Sequence, residues 1–145
     1  MPQADSPTDR LLFLSVKPVF AEAILSGTKT IELRRSRPRI SVPTDALIYA
    51  SSPTMALVGE CVVDDITEWQ LTDLWRSLGP QTGVDRITFD RYFAGAEHAV
   101  ALHLTHVRRL ANSVPLEDIR DRVEGFEPPQ SFRYVSRAKS EALTA

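Results

Sequence analysis

Residues 11–34 read Leu-Leu-Phe-Leu-Ser-Val-Lys-Pro-Val-Phe-Ala-Glu-Ala-Ile-Leu-Ser-Gly-Thr-Lys-Thr-Ile-Glu-Leu-Arg. Leu11–Val16 is a short apolar run, the pattern of a buried strand. Pro18 suits the first turn of a helix, because its missing N–H would be unpaired there in any case. Ala21, Ile24 and Leu25 then share one helical face, and Gly27 stands where a left-handed cap is wanted. Thr30–Arg34 resumes as a strand. The stretch predicts a strand, a tight turn, a short helix stopped by glycine, and a second strand.

The same signals extend outward. Pro38–Pro43 is a proline-bounded loop, Ala46–Ala50 a short strand and Ser52-Pro53 a turn. Met55–Val63 reads as the next strand, with a bulge at Val58-Gly59-Glu60. Leu71, Leu74, Trp75 and Leu78 sit at helix spacing, ended by Gly79-Pro80. Asp85–Phe93 is a second short helix, stopped by Gly95. Ala99–Val107 alternates, with Val100, Leu102 and Leu104 on one face. Leu116–Arg122 is a further helix, and Ser131, after the Pro128-Pro129 break, is placed to cap a short C-terminal one. Residues 1–10, polar with two prolines, predict a loose tail. Residues 11–135 form one domain and 136–145 a fraying end. Strands separated by turns more than by long crossovers predict an α+β fold: a mostly antiparallel sheet or small barrel with flanking short helices.

At 145 residues, 43% apolar and 25% charged, the composition excludes a fibrous or largely disordered chain. No apolar run is long enough to span a bilayer, and no signal peptide opens the chain. A single cysteine, Cys61, makes neither an internal disulfide nor a zinc site, which predicts a reducing, cytoplasmic location and no membrane partner. The net charge is −2, so bulk electrostatics does not announce a nucleic-acid binder. The distribution is uneven: residues 1–50 carry 7 basic and 5 acidic side chains, residues 51–97 carry 3 and 8, and residues 98–145 carry 7 and 6. If the two ends of the sequence meet, a locally positive face forms on an acidic protein.

The densest polar cluster is Gly27–Arg34. Glu32 and Arg34 have the same strand parity and lie roughly 6.6 to 6.8 Å apart on one face. Lys29 precedes them. A carboxylate between two cations stays ionised, and such a group can hold phosphate with Lys and Arg and a base edge or ribose hydroxyl with Glu. A salt-bridge network on the wall of a sheet would give the same pattern. Arg34, Arg35, Arg37 and Arg39 crowd into six residues around Pro38, and suit an RNA backbone. Gln130, Ser131, Arg133 and Tyr134 supply an amide, a hydroxyl, a guanidinium and a phenol near the chain end. Tyr49 and Ser51 close a strand beside a turn and are candidates to line a ligand pocket, although for the serine a plain turn before Pro53 gives the same pattern. The histidines have no metal-ligand spacing, so no metal or other cofactor is predicted from them. Trp69, Trp75 and Tyr92 in the acidic middle segment suit either the core or a protein partner.

These residues carry a resemblance. Gly27, Lys29, Glu32 and Arg34 form Gly-x-Lys-x-x-Glu-x-Arg, with Leu14–Pro18 before it and Tyr49–Pro53 and Val58–Glu60 after it. The closing Pro-Pro-Gln-Ser-Phe-Arg-Tyr-Val at 128–135 resembles the ending of one bacterial subgroup. Over residues 11–135 the chain resembles the ASCH domain family of the PUA-like superfamily. The resemblance implies a small β-barrel with flanking helices and a cleft that binds RNA, a nucleotide or a modified nucleoside. Lys17, Lys29, Glu32 and Arg34 would line it. It also implies enzymatic alternatives. One is cleavage of single-stranded RNA assisted by a divalent metal, with Lys29 stabilising the phosphorane charge and Glu32 or Ser131 assisting. Another is an N4-acetylcytidine amidohydrolase, whose members resemble this motif with a threonine nucleophile at the place of Glu32. This chain has glutamate there, and Thr30 has the wrong parity to replace the threonine.

Overall fold

The computed structural model of the chain describes residues 10–145. Strand β1 (Arg10–Val16) leads into helix α1 (Pro18–Ser26), followed by β2 (Ile31–Arg34), β3 (Thr44–Ala50) and β4 (Ala56–Gln70). Helix α2 (Leu71–Leu78) and a 3-10 turn at Gly79–Thr82 come next. Helix α3 (Arg86–Tyr92), β5 (His98–Pro115), α4 (Leu116–Arg122), β6 (Phe132–Ser136) and α5 (Arg137–Thr144) complete the order. The loose tail expected over residues 1–10 lies outside the described residues except for Arg10, the first residue of β1.

The fold is α+β, with one six-stranded sheet in the order β2-β5-β4-β3-β1-β6. β1 and β3 run parallel, and the other four pairings are antiparallel. The sheet is mostly antiparallel as expected, though the β1–β3 pair makes it mixed; the small barrel expected from the sequence is corrected, because the sheet is not closed and β2 and β6 are its edges. The parallel pair arises because α1 carries the chain away from β1 to the far end of the sheet, and residues 35–43 return it beside β1. Closure fails because β2 has only four residues, and a side chain fills the gap that a further ladder would occupy.

Alternation distributes three cores. Leu12, Leu14, Val16, Ile48, Cys61, Val63, Val100, Leu102 and Leu104 cover one face of the sheet, with Ala21 and Ile24 of α1 packed on them. Leu11, Phe13, Leu47, Tyr49 and Leu57 point the other way, against Leu116 and Ile119 of α4, Phe126, and Leu143 of α5. Ile31 and Leu33 of β2 and Ala99 and Ala101 of β5 meet Leu74 of α2 and Phe89 and Phe93 of α3. The register between β4 and β5 shifts at Leu57/Gly59, where the sequence predicts a bulge. A Cβ on Gly59 would stand 2.5 Å from Leu25 Cδ2 and 3.0 Å from the Arg108 carbonyl, so glycine lets α1 press onto the sheet here. Among the described residues no helix is long and apolar enough to cross a membrane.

Two expectations at the C-terminus change. Ser131 caps no helix; it precedes β6, and the α5 cap is Ser136, whose Oγ accepts from the Lys139 N–H at 3.1 Å. Residues 137–144 form that helix instead of a fraying end, and Leu143 is fully buried. Leu143→Ala is expected to lower stability by about 2–5 kcal/mol in urea denaturation, the range for a buried leucine. A frayed end would change it by about 0.5 kcal/mol or less.

Candidate functional site: a charged cleft at the seam of the sheet

The parity of β2 builds the site. Ile31 and Leu33 turn into a core with α2 and α3, so Glu32 and Arg34 turn to the opposite face, paired across the ladder with Leu102 and Val100. Gly27, in the left-handed conformation at φ 88°, ends α1 and reverses the chain so that Lys29 enters beside them. Lys29, Glu32 and Arg34 are 1%, 5% and 7% exposed.

Lys29 Nζ donates to the Thr82 carbonyl at 2.5 Å. It lies 3.9 Å from Glu32 Oε1 and 5.5 Å from the centroid of the Phe20 ring. Burial pushes its ammonium below the ordinary lysine value of 10.5; the Arg34 charge acts in the same sense and the Glu32 carboxylate opposes both. The stem of Lys29 is fixed by Gly83 (φ 68°), where a Cβ would come within 2.8 Å of Lys29 Cβ. Glu32 Oε1 accepts from the Leu33 N–H at 3.0 Å. Glu32 Oε2 and Arg34 Nε are buried without a hydrogen-bond partner. Arg34 Nη2 donates to the carbonyls of Ser15 at 3.4 Å and Ser131 at 3.5 Å. Its guanidinium therefore joins the first strand of the sheet order to the last two, β1 and the start of β6, which shows that the sheet curls until its ends face each other.

The seam opens into a cavity of about 570 Å³ lined by Ser15, Lys17, Phe20, Lys29, Glu32, Arg34, Ser51, Thr88, Phe89, Arg91, Tyr92 and Gln130. Six sequence candidates thus meet: Lys17, Lys29, Glu32, Arg34, Ser51 and Gln130. Others lie apart from the lining. Ser131 contributes its carbonyl to Arg34. Tyr49 packs against Phe13 in the core beneath α4 and α5. Arg133 lies over the Phe126 ring and donates to the Glu127 carbonyl. Arg35 donates to the Tyr92 and Ala94 carbonyls, and Arg37 to that of Ile66. Arg39 offers its backbone N–H to Tyr134 Oη at 2.7 Å.

Sequence reasoning missed Ser15, Phe20, Thr88, Phe89, Arg91 and Tyr92. Phe89 and Tyr92 have core spacing on α3, and no local signal tells a wall of a cleft from a wall of a core. Trp75 packs on Phe89 with ring centroids 5.0 Å apart, and Trp69 Nε1 donates to Thr67 Oγ1. A smaller hollow of about 250 Å³ elsewhere holds Asp45, Cys61, His106 and Arg137. Burial pushes the Cys61 thiol up to about 12, far from a reactive thiolate. Among the described residues no three His, Cys, Asp or Glu side chains gather as metal ligands.

The cleft can hold an anion through its lysines and arginines. Glu32 adds a carboxylate, an acceptor of hydrogen bonds, to the same lining.

Comparison with known proteins identifies the family and the fold. The profile of the ASCH domain matches residues 14–111. The ASCH domain-containing ribonuclease of Zymomonas mobilis subsp. mobilis is 28% identical over 141 residues, covering 97% of this chain and 95% of that one. The crystal structure of ASCH from Zymomonas mobilis superposes with a TM-score of 0.88 at 27% identity, over 95% of this chain and 94% of the other. That protein has also been crystallised as a tyrosine-to-phenylalanine and as a serine-to-alanine mutant. Human THYN1, in complex with 5-methylcytosine-containing DNA, shares the fold with a TM-score of 0.57 at 9% identity, over 91% and 94% of the two chains.

Two outcomes follow from the environment of Lys29. Its folded-state value lies below the unfolded one, so between the two the unfolded chain binds more protons and stability rises with pH. Anion affinity runs the opposite way. It is expected to fall as the ammonium discharges, starting below pH 10.5. Lys29→Gln is expected to bind more weakly and lose that alkaline step, read by titration with inorganic phosphate. Gly83→Ala is expected to cost about 1–3 kcal/mol, from the left-handed backbone and the clash with the Lys29 stem, measured by denaturation.

Proposed function

The chain belongs to the ASCH domain family, and on that premise we propose that its cleft receives a nucleotide of single-stranded RNA. The observation that carries this reading is the buried trio of Lys29, Glu32 and Arg34, open to a cavity and left with two unpartnered polar atoms. Burying three ions costs several kcal/mol each, and a salt bridge serving stability alone would not leave Glu32 Oε2 and Arg34 Nε orphaned. Lys29 and Arg34 suit a phosphate. Glu32 repels a second anion and accepts from a base N–H or from the ribose 2′-hydroxyl, the group that separates RNA from DNA. Lys17 at the rim adds attraction for the backbone. Arg35, Arg37 and Arg39 stay outside the cleft, where they would meet flanking phosphates.

A second reading, cleavage of the bound RNA, is favoured by the name of the Zymomonas relative, a ribonuclease matched over almost its whole length. Lys29 would then stabilise charge developing on the phosphorus oxygens, with Glu32 assisting, while Ser131, outside the lining, would act only through its carbonyl on Arg34. A divalent ion, if the reaction uses one, would find in the cavity lining only the Glu32 carboxylate as a charged ligand, and would supply Lewis-acid stabilisation of the phosphate.

A fluorescent single-stranded RNA titrated at several salt concentrations tests binding. The slope of log K on log salt is expected to be negative, by about 0.7 per phosphate neutralised. Lys29→Gln and Arg34→Gln are each expected to weaken binding about tenfold or more, in line with charged hydrogen bonds. No binding at low salt, or equal binding by the variants, overturns the proposal. Incubation of end-labelled RNA with and without Mn²⁺ or Mg²⁺ tests cleavage, and products made equally by Lys29→Gln would mark a contaminant.

A further inference from the structure

The wall built by α3 differs from the charged floor. Arg91 and Tyr92 both line the cavity and both are exposed, Tyr92 to 38%. Tyr92 is nevertheless held firmly. Its ring meets Phe93 at 4.8 Å between centroids and 76° between planes, and Phe93 in turn packs on Phe89 at 4.9 Å. Its carbonyl accepts from Arg35 Nη1 at 3.1 Å, tying the end of α3 to the residue that follows the charged strand β2. The contact with Phe93 restricts the ring, and a restricted aromatic loses less freedom on binding. Arg91 makes no ion pair among the described residues, whereas Arg86 on the same helix is paired with Asp90 at 3.0 Å.

We propose that Arg91 and Tyr92 form a second nucleotide subsite beside the floor trio. The base of the adjoining nucleotide stacks on the Tyr92 ring, and the phosphate linking the two nucleotides lies against the Arg91 guanidinium. The guest is then a single-stranded oligonucleotide, not a free nucleotide or nucleoside. Every base has a π-face, so the stack tolerates any sequence, while the floor carboxylate reads donors on the first nucleotide. The cavity, at about 570 Å³, falls within the range of small-ligand pockets and has room beside the trio. This inference rests on the nucleotide reading of the floor, and the experiment separates the two.

Wild-type protein is titrated with a ribonucleoside monophosphate, the matching 5′-phosphorylated dinucleotide and the tetranucleotide, with ligand integrity checked by chromatography. Affinity is expected to rise about tenfold or more from mono- to dinucleotide, the gain typical of stacking one base on an aromatic ring. Tyr92→Leu is expected to abolish that gain, while Tyr92→Phe, which preserves the stacking face, keeps it. Arg91→Gln is expected to weaken the dinucleotide and to reduce its salt slope by about 0.7, the share of one phosphate. Mononucleotide binding is measured for each variant in parallel, so that the ratio of dinucleotide to mononucleotide affinity is the readout. The subsite is overturned, with the floor reading intact, if wild type binds mono- and dinucleotide equally. It is likewise overturned if Tyr92→Leu and Arg91→Gln retain the gain. If wild type binds no ligand of the series, the floor reading falls as well.

Discussion

Taking Lys29, Glu32 and Arg34 out of water costs several kcal/mol per ion even after relaxation, and their mutual attraction offsets only part of it. The chain meets that cost with backbone. The Thr82 carbonyl accepts from Lys29, the Leu33 N–H donates to Glu32, and the carbonyls of Ser15 and Ser131 accept from Arg34. Those four partners come from the turn after α2, from β2 itself, from β1 and from the approach to β6. The charged trio therefore dictates how segments far apart in sequence are placed. Two polar atoms of the trio, Glu32 Oε2 and Arg34 Nε, are left without a hydrogen-bond partner.

The short fourth-residue logic of β2 was readable without coordinates. Its parity separates Glu32 and Arg34 from Ile31 and Leu33, and Pro18 and Gly27 bracket α1 as the local rules require. The helix at Leu116–Arg122 also has the expected bounds. Of the two long strands only the first parts, near Met55–Val63 and Ala99–Val107, were readable. β4 continues to Gln70 and β5 to Pro115, because register shifts and the positive φ of His106 break the period of two that marks a strand. The end of the chain was misjudged since Ser131 and Ser136 are both serviceable caps, and only docking of Leu143 decides between them.

The site shows the same division. A motif with internal spacing, Gly27 to Arg34, is local and announces itself. Gln130 and Ser51 reach the cleft through tertiary closure, yet their polar character had already set them apart. Arg91 carried no such mark, and Tyr92 stood out only as an aromatic suited to the core or a protein partner. Arg35 illustrates what a charge cluster leaves unsaid: among four arginines within six residues, Arg35 and Arg37 each also donate to a main-chain carbonyl. A guanidinium that fixes a helix end is read from geometry and never from composition.

The guanidinium of Arg34 also has an architectural consequence. Strands joined by a ladder stand about 4.8 Å apart, so a sheet can change girth only in whole-strand steps. Where a flexible side chain spans the gap, the opening between β2 and β1 is released from that quantum. Its width follows the reach of one residue and the loops behind it, with no strand re-registered. A lineage built on this frame is free to regrade its mouth for guests of different thickness while every other hydrogen-bonded pair of strands stays as it was.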